Sequence, residues 1–239
     1  MTWRKLTDAQ WALVNAQLPV RRKPWRKRDR AGGRPPLDDR KCFEGILWIL
    51  WTGAQWSELP PRYGSKSAVH RRLQRWTEDG TLEQLWRAFL AQLQEQEHIR
   101  WNECFVDGTF ASAKKGGLLV GKTKRGKGTK LVVLVDGQRP PLGLHMDAAS
   151  PSEVRRLVQT LETVRVARLP RGGRPRQRPE RLIADKGYDS NAVRELLEGR
   201  GIEPIIPARA NNTVATHQDG RTLRRYRRRW IVERTISWL

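Results

Sequence analysis

The chain has 239 residues, room for one large domain or a small domain plus a medium one, and its 47 Lys+Arg against 25 Asp+Glu leave a formal charge of +22. Such a charge draws a protein to polyanions, phosphate-rich nucleic acid foremost. Acidic membrane surfaces are the competing partner, but no apolar run approaches the roughly 18 residues of a spanning helix, the longest candidate being Ile46-Leu47-Trp48-Ile49-Leu50-Trp51, and no membrane partner is expected. Met1-Thr2-Trp3-Arg4-Lys5 lacks the apolar core of a secretory signal, and Cys42 and Cys104 are too few for a disulfide framework or a zinc cluster. The chain therefore reads as cytoplasmic, and most of its 11 tryptophans are expected to be packed.

The first hundred residues read as helical. Thr7 caps a segment to about Leu18, with Trp11, Val14 and Leu18 on one face and Pro19 closing it. A basic arm punctuated by Pro and Gly follows over 21–36. Asp38 or Asp39 opens an apolar helix through Phe43, Ile46, Leu47 and Leu50, ending near Gly53. After a turn at 56–60, Ser65 or Ser67 caps a helix whose Val69, Leu73 and Trp76 point inward while His70, Arg71, Arg72, Gln74 and Arg75 face outward. Leu82, Leu85, Trp86, Phe89, Leu90 and Leu93 mark a last helix to about Gln96. Trp51 and Trp56 could stack on a flipped base, but core packing is the favoured reading.

From Arg100 the texture changes to short β-rich runs alternating with helical ones, which points to an α/β domain. Strands are expected over 103–107 and 130–136, separated by a Gly/Lys-rich loop over 114–130, with a third strand over 142–146. Pro151 opens a helix through Val154, Leu157, Val158 and Leu161. A basic loop over 168–181 leads to a strand over 182–185, a helix over 190–198 and a strand over 202–206. The segment 222–239 is amphipathic and very basic. No internal repeat is visible, and the boundary is placed near residue 100, giving regions 1–99 and 100–239.

Three acids stand out by position. Asp107 ends one expected strand, Asp185 ends another, and Glu233 lies in the last helix amid Arg225, Arg227, Arg228, Arg229 and Arg234. Carboxylates at adjacent strand ends can converge, and a helix crossing that edge can deliver a third. Such oxygen donors suit magnesium or manganese, and two ions held about 3.5–4 Å apart can serve phosphodiester cleavage. A strand ending in Asp-Gly is also a common turn, and Asp136-Gly137 is read as one. Spacing alone leaves both readings open.

The blocks Asp107-Gly108-Thr109, Ala184-Asp185-Lys186-Gly187-Tyr188-Asp189-Ser190 and Tyr226-Arg227-Arg228-Arg229-Trp230-Ile231-Val232-Glu233-Arg234 resemble the catalytic blocks of bacterial DDE-type insertion-sequence transposases. More narrowly they resemble the superfamily numbered four and five among insertion sequences. Its last block sets a Tyr, an Arg and the Glu at the spacing of Tyr226, Arg229 and Glu233. The stretch Gly53-Ala54-Gln55-Trp56-Ser57-Glu58-Leu59-Pro60-Pro61-Arg62-Tyr63-Gly64 resembles one these transposases carry ahead of their first Asp. The resemblance implies an α/β catalytic domain, a ribonuclease-H-like mixed sheet flanked by helices, preceded by an all-helical, helix-turn-helix-like region. It implies that Asp107, Asp185 and Glu233 bind two magnesium or manganese ions, and that the enzyme cuts and rejoins element ends. Its partners would be double-stranded DNA, as element ends and target, and a second copy of the chain in the synaptic complex, at the bacterial nucleoid. The family block often ends in a Lys just beyond Leu239, so a short C-terminus is expected, and with it a second reading, a DNA-binding remnant that occupies the ends without cutting. A third is a ribonuclease-H-like nuclease with no need of particular ends.

DNA binding has several candidates. Arg71, Arg72 and Arg75 of the helix over 65–77 would meet phosphates or guanine edges in the major groove; helix shape alone leaves an ordinary basic surface equally open, and the resemblance favours DNA. Arg34 in Gly33-Arg34-Pro35, like Gly173-Arg174-Pro175, resembles the core of a minor-groove hook, with a solvated linker as the blander reading. Lys122, Lys124, Arg125 and Lys130 belong to a run that reads equally as lining the substrate path or as a mobile surface loop. Tyr226 and Arg229, by the resemblance, contact DNA near the cleaved phosphate. His70, His98, His145 and His217 show no metal-ligand spacing, and no phosphate-cradling Gly motif is present.

Overall fold

In the computed structural model, which describes residues 3–19, 37–123, 126–149, 153–170, 172–209 and 220–238, the chain packs as two units, Met1–Phe89 and Leu90–Leu239. The division falls earlier than residue 100, inside a helix, because Leu90 and Leu93 join the core of the second unit.

Local capping chemistry sets the helices of the first unit. In α1 (Asp8–Asn15) the Thr7 hydroxyl accepts from the Gln10 N–H at 3.2 Å while the Gln10 side chain accepts from the Thr7 N–H at 2.9 Å, a reciprocal box. Asp38 accepts from the Lys41 N–H at 2.9 Å to open α2 (Asp39–Thr52), and Gly53, at φ 65°, closes it in the left-handed conformation that favours glycine. Ser65 caps α3 (Lys66–Glu78), and α4 runs Thr81–Glu95. Phe43 and Ile46 of α2, Val69 and Trp76 of α3, and Leu85 of α4 bury together around Tyr63. Between α2 and α3 the chain makes two 3₁₀ turns, Trp56–Glu58 and Pro61–Tyr63, far more than the three- to four-residue turn, roughly, of a helix-turn-helix. Trp51 departs from its expected place in a core: it is 54% exposed, leaning on Trp3 with ring centroids 6.5 Å apart.

The second unit is built on one mixed sheet. Its strands are β1 (Cys104–Ser112), β2 (Gly121–Thr123), β3 (Gly126–Asp136), β4 (Pro141–Ala148), β5 (Arg181–Ala184) and β6 (Glu203–Ile205). β3 lies antiparallel to β1 and β4, whereas β5 lies parallel to β1 and to β6. β2 pairs with the start of β3 along the edge that β4 continues. Three antiparallel strands followed by two parallel ones, with helices on both faces, form a ribonuclease-H-like sheet. Helices α5 (Glu153–Thr163), α6 (Asn191–Gly199), α7 (Gly220–Leu223) and α8 (Trp230–Ile236) complete the unit, with a 3₁₀ segment, Arg224–Arg229, between the last two. The amphipathic last segment is thus helical in three pieces over its described residues.

Alternation sorts side chains between the two faces. Cys104 and Val106 of β1 with Leu182 and Ala184 of β5 pack under α5 and α6. Phe105 and Ile183 face the other way, onto Ile231 and Val232 of α8. α5 comes close to the sheet at Gly143, where a Cβ would lie 2.8 Å from Thr163 Oγ1. Asp136-Gly137 is the expected turn: the Arg139 N–H reaches the Asp136 carbonyl at 3.2 Å. Among the described residues no helix is long and apolar enough to cross a membrane.

Candidate active site

The parallel ladder between β1 and β5 places the first two acids. Its pairs are Cys104 with Leu182, Phe105 with Ile183, and Val106 with Ala184. Asp107 and Asp185 come next on their strands, so both carboxylates emerge beside one another on the face that holds α8. β1 itself runs on to Ser112 in its ladder with β3, so Asp107 lies within a strand and Gly108-Thr109 is no turn. Asp185 leaves its strand into a 3₁₀ turn, Lys186–Tyr188. That turn is braced by Arg209, whose Nε donates to the Lys186 carbonyl at 2.7 Å and whose Nη2 donates to the Gly187 carbonyl. Asp189, buried, pairs with Arg194 at 2.7 Å and accepts from the Arg209 N–H at 2.7 Å.

The third acid arrives with the 3₁₀ segment and α8. Three residues per turn put i and i+3 on one ridge. Tyr226 and Arg229 form the ridge that faces the acids. The Tyr226 hydroxyl donates to Asp185 Oδ1 at 2.8 Å. The Arg229 guanidinium reaches Asp107 at 3.3 Å, Asp185 at 3.6 Å and, one helical turn on, Glu233 at 2.5 Å. All three acids found by position thus converge on one cation. Arg225 and Arg228 form a second ridge, both bonded to Glu103. Arg224 and Arg227 form the third, exposed to solvent.

The two neighbouring aspartates have opposite electrostatics. Burial pushes the Asp107 carboxyl above its usual range, Asp185 and Glu233 push the same way, and the Gly108 N–H and Arg229 offset this only in part. Burial pushes Asp185 upward too, but the Tyr226 hydroxyl, Arg229 and the N–H groups of Lys186 and Gly187 outweigh it and hold the carboxyl low. Tyr226 is raised to about 12 by burial and by its bond to Asp185, so it remains a donor.

Stability follows with opposite signs. A raised carboxyl contributes fully below its unfolded value of about 3.9 and loses that contribution as pH rises through the folded value; a depressed one contributes above about 3.9 and loses it as pH falls through the folded value. Asp107→Asn is therefore expected to raise the melting temperature at neutral pH and Asp185→Asn to lower it, with both differences shrinking in acid. Thermal unfolding of the two variants at about pH 7 and about pH 3 checks this; shifts of the same sign at neutral pH would contradict it.

The donor set is all oxygen and fits a hard divalent cation. Among the described residues no three His, Cys, Asp or Glu side chains form a ready cage; the three acids meet at the Arg229 guanidinium. Other expected residues lie elsewhere. Lys130 stands near Gly108 and Tyr188, on the sheet face opposite the acids, and Lys122 is exposed on β2. In the first unit Arg71 and Arg75 are exposed on α3, whereas Arg72 pairs with Asp39 and lies 5.3 Å over the Trp76 ring. Arg34, Lys124 and Arg125 lie outside the described residues. Glu103 was not singled out by sequence; its one signal is that Arg225 and Arg228 repeat the spacing of Tyr226 and Arg229.

Comparison with known proteins identifies the family. A model for transposases of the IS4/5 family (DUF4096) matches residues 6–86, and one described as the transposase DDE domain matches 102–239. An uncharacterized 16.2 kDa protein of insertion element IS402 from Burkholderia cepacia is 32% identical over 49% of this chain and 80% of its own length. A protein named as the transposase of IS402, from the same organism, is 37% identical over 47% of this chain; the chain spans about half of it, 49%. Among solved structures, the piggyBac transposase synaptic complex with hairpin DNA aligns over 87% of this chain and 50% of its own at 12% identity and a TM-score of 0.44. The Mos1 mariner paired end complex with Mn aligns over 87% and 79% at 13% identity and a TM-score of 0.28. With matches along both units and three acids gathered at one sheet edge, this chain belongs to the DDE-type insertion-sequence transposases.

Proposed function

We propose that the chain binds the ends of its own insertion element and cuts and rejoins DNA there, with Asp107, Asp185 and Glu233 as the residues that hold two magnesium or manganese ions. The observation that carries this reading is the convergence of the three carboxylates on one cation, Arg229, at the end of the β1–β5 parallel ladder. In cleavage, water attacks phosphorus and the bond to the 3′ oxygen breaks, leaving a 3′-hydroxyl and a 5′-phosphate. In strand transfer that 3′-hydroxyl attacks a target phosphodiester and releases a second strand end. Bound divalent ions would supply electrophilic stabilisation of the phosphate and of the leaving oxygen. The chain's own groups supply the rest. Asp185, held low, stays charged, Tyr226 keeps it oriented, and Arg229 is a cation that can turn to a phosphate.

The partner is double-stranded DNA, and pairing of two ends calls for at least two copies of the chain. Arg224 and Arg227, exposed on the third ridge of the same 3₁₀ segment, join Arg71 and Arg75 as phosphate contacts, and the earlier candidates Lys122, Lys124, Arg125, Lys130 and Arg34 stay with them. The arginines of α3 divide by what they touch. Replacing Arg71 and Arg75 together by Ala is expected to weaken DNA binding and to flatten its salt dependence by about two in log–log slope. Arg72→Ala is expected instead to cost about 1 kcal/mol of stability, since its ion pair and its packing on Trp76 are partly shielded. Binding titrations across salt concentrations and denaturant unfolding separate the two; a fall in DNA affinity for Arg72→Ala alone would reverse the assignment.

The test of the function is strand cleavage of labelled DNA carrying the sequence that flanks this gene, with and without magnesium or manganese. Metal-dependent nicking at a defined end is expected. Specific retention of that DNA with no nicking would favour the non-cutting reading.

A further inference from the structure

Five of the six residues in the 3₁₀ segment Arg224–Arg229 are arginines. Runs of 3₁₀ helix beyond about three or four residues are uncommon, because their hydrogen bonds are poorly aligned, and adjacent like charges repel. Something outside the segment must fix its rotation, since rotation decides which side chains meet the acids.

Glu103 is placed to do this. It precedes β1, is 6% exposed, and spends both carboxylate oxygens on the segment. Oε1 accepts from Arg225 Nε at 2.5 Å and Oε2 from Arg228 Nη1 at 2.5 Å. Glu103, Phe105 and Asp107 fall at alternate positions, hence on one face of one extended chain. Arg228 lies 5.7 Å over the Phe105 ring, and Arg229 reaches Asp107. One strand therefore grips two neighbouring ridges of the segment. Without the Glu103 charge, Arg225 and Arg228 would lose the carboxylate that pairs both of them, and the repulsion among the arginines of the segment would no longer be offset at that ridge.

We infer that Glu103 is a positioning residue, which clamps Arg225 and Arg228 and thereby holds Tyr226, Arg229 and Glu233 in register with Asp107 and Asp185. This rests on the reading of the three acids as the catalytic site. Glu103 is 6% exposed and its carboxylate is bonded to Arg225 and Arg228, so its effect is expected on the cutting step rather than on binding.

The experiment compares the full chain with Glu103→Gln, Glu103→Ala and Glu103→Asp by single-turnover cleavage, DNA affinity and amide hydrogen exchange. Glu103→Gln and Glu103→Ala are expected to cut about 10- to 100-fold more slowly, the usual range for a lost supporting contact around a metal site. DNA affinity should stay unchanged, exchange should quicken at 220–230 while β1 and β3 stay protected, and Glu103→Asp, which keeps the charge, should recover most of the rate. A Glu103→Gln rate equal to wild type would overturn the inference, as would loss of protection throughout the unit, which would make Glu103 a prop of the whole fold. Failure of the wild-type chain to cut under any metal would instead sink the reading of the site, and faster exchange confined to 220–230 would still uphold the clamp, while unchanged exchange would refute it.

Discussion

Asp185→Asn is expected to abolish metal-dependent strand cutting, by about 10³-fold or more, and to leave retention of DNA intact. A loss of that size is about 4 kcal/mol at the transition state. Asn keeps the shape and an acceptor for the Tyr226 hydroxyl, which lies 2.8 Å from Asp185, but removes the charge on which a hard cation depends. Binding should survive, since removing a negative charge beside Arg229 does nothing to repel phosphate. Asp185 is the informative acid of the pair. Its carboxyl is held low by Tyr226, Arg229 and two backbone N–H groups against the opposing effect of burial, so it is ionised wherever the enzyme would work. Labelled-strand cleavage beside a retention assay reads both effects, and metal-dependent cutting that persists in the variant would refute the assignment.

The second large effect concerns Arg229. Its guanidinium is the cation shared by three carboxylates, and two of them, Asp107 and Asp185, are 21% and 37% exposed. Arg229→Gln leaves three like charges facing one another. In the absence of divalent ions this should lower stability by about 2 kcal/mol, less than for a fully buried pair because water still reaches the group. Magnesium or manganese should restore it, because an ion that binds only the folded chain stabilises by about 2.7 kcal/mol at a hundred times its dissociation constant. The wild-type chain should gain less from the same ion, since Arg229 must first give way. Denaturant unfolding in chelator and in excess metal measures both. A variant as stable as wild type in chelator, with no larger response to metal, would mean that Arg229 is not the counterion of this site.

Much of the architecture was legible because it rests on local chemistry. Thr7, Asp38 and Ser65 cap helices as their hydroxyl and carboxylate oxygens require. The acids were found by their place next to apolar runs and by resemblance. What stayed hidden depends on partners distant in sequence. Asp107 reads as a strand end because Asp-Gly is common in turns, yet Gly108–Ser112 pair with Gly128–Val132 and prolong β1. The Gly/Lys run over 114–130 shows no apolar alternation, but its ladder bonds make β2 and the start of β3 all the same. The break in the last helix is tied to tertiary contacts of Arg225, Tyr226, Arg228 and Arg229, which no helical periodicity reports. Glu103 carries no pattern of its own. Arg229 was placed at DNA, and its grip on all three acids depends on side-chain direction, which sequence does not give.

The most direct test of the central claim, that these three carboxylates form one divalent-metal site, is a crystal structure of the chain in manganese, read by anomalous scattering. Manganese peaks bounded by Asp107, Asp185 and Glu233, with Arg229 turned away from them, are expected. A structure that binds manganese elsewhere, or none at all, with Arg229 still joining the three acids, would contradict it.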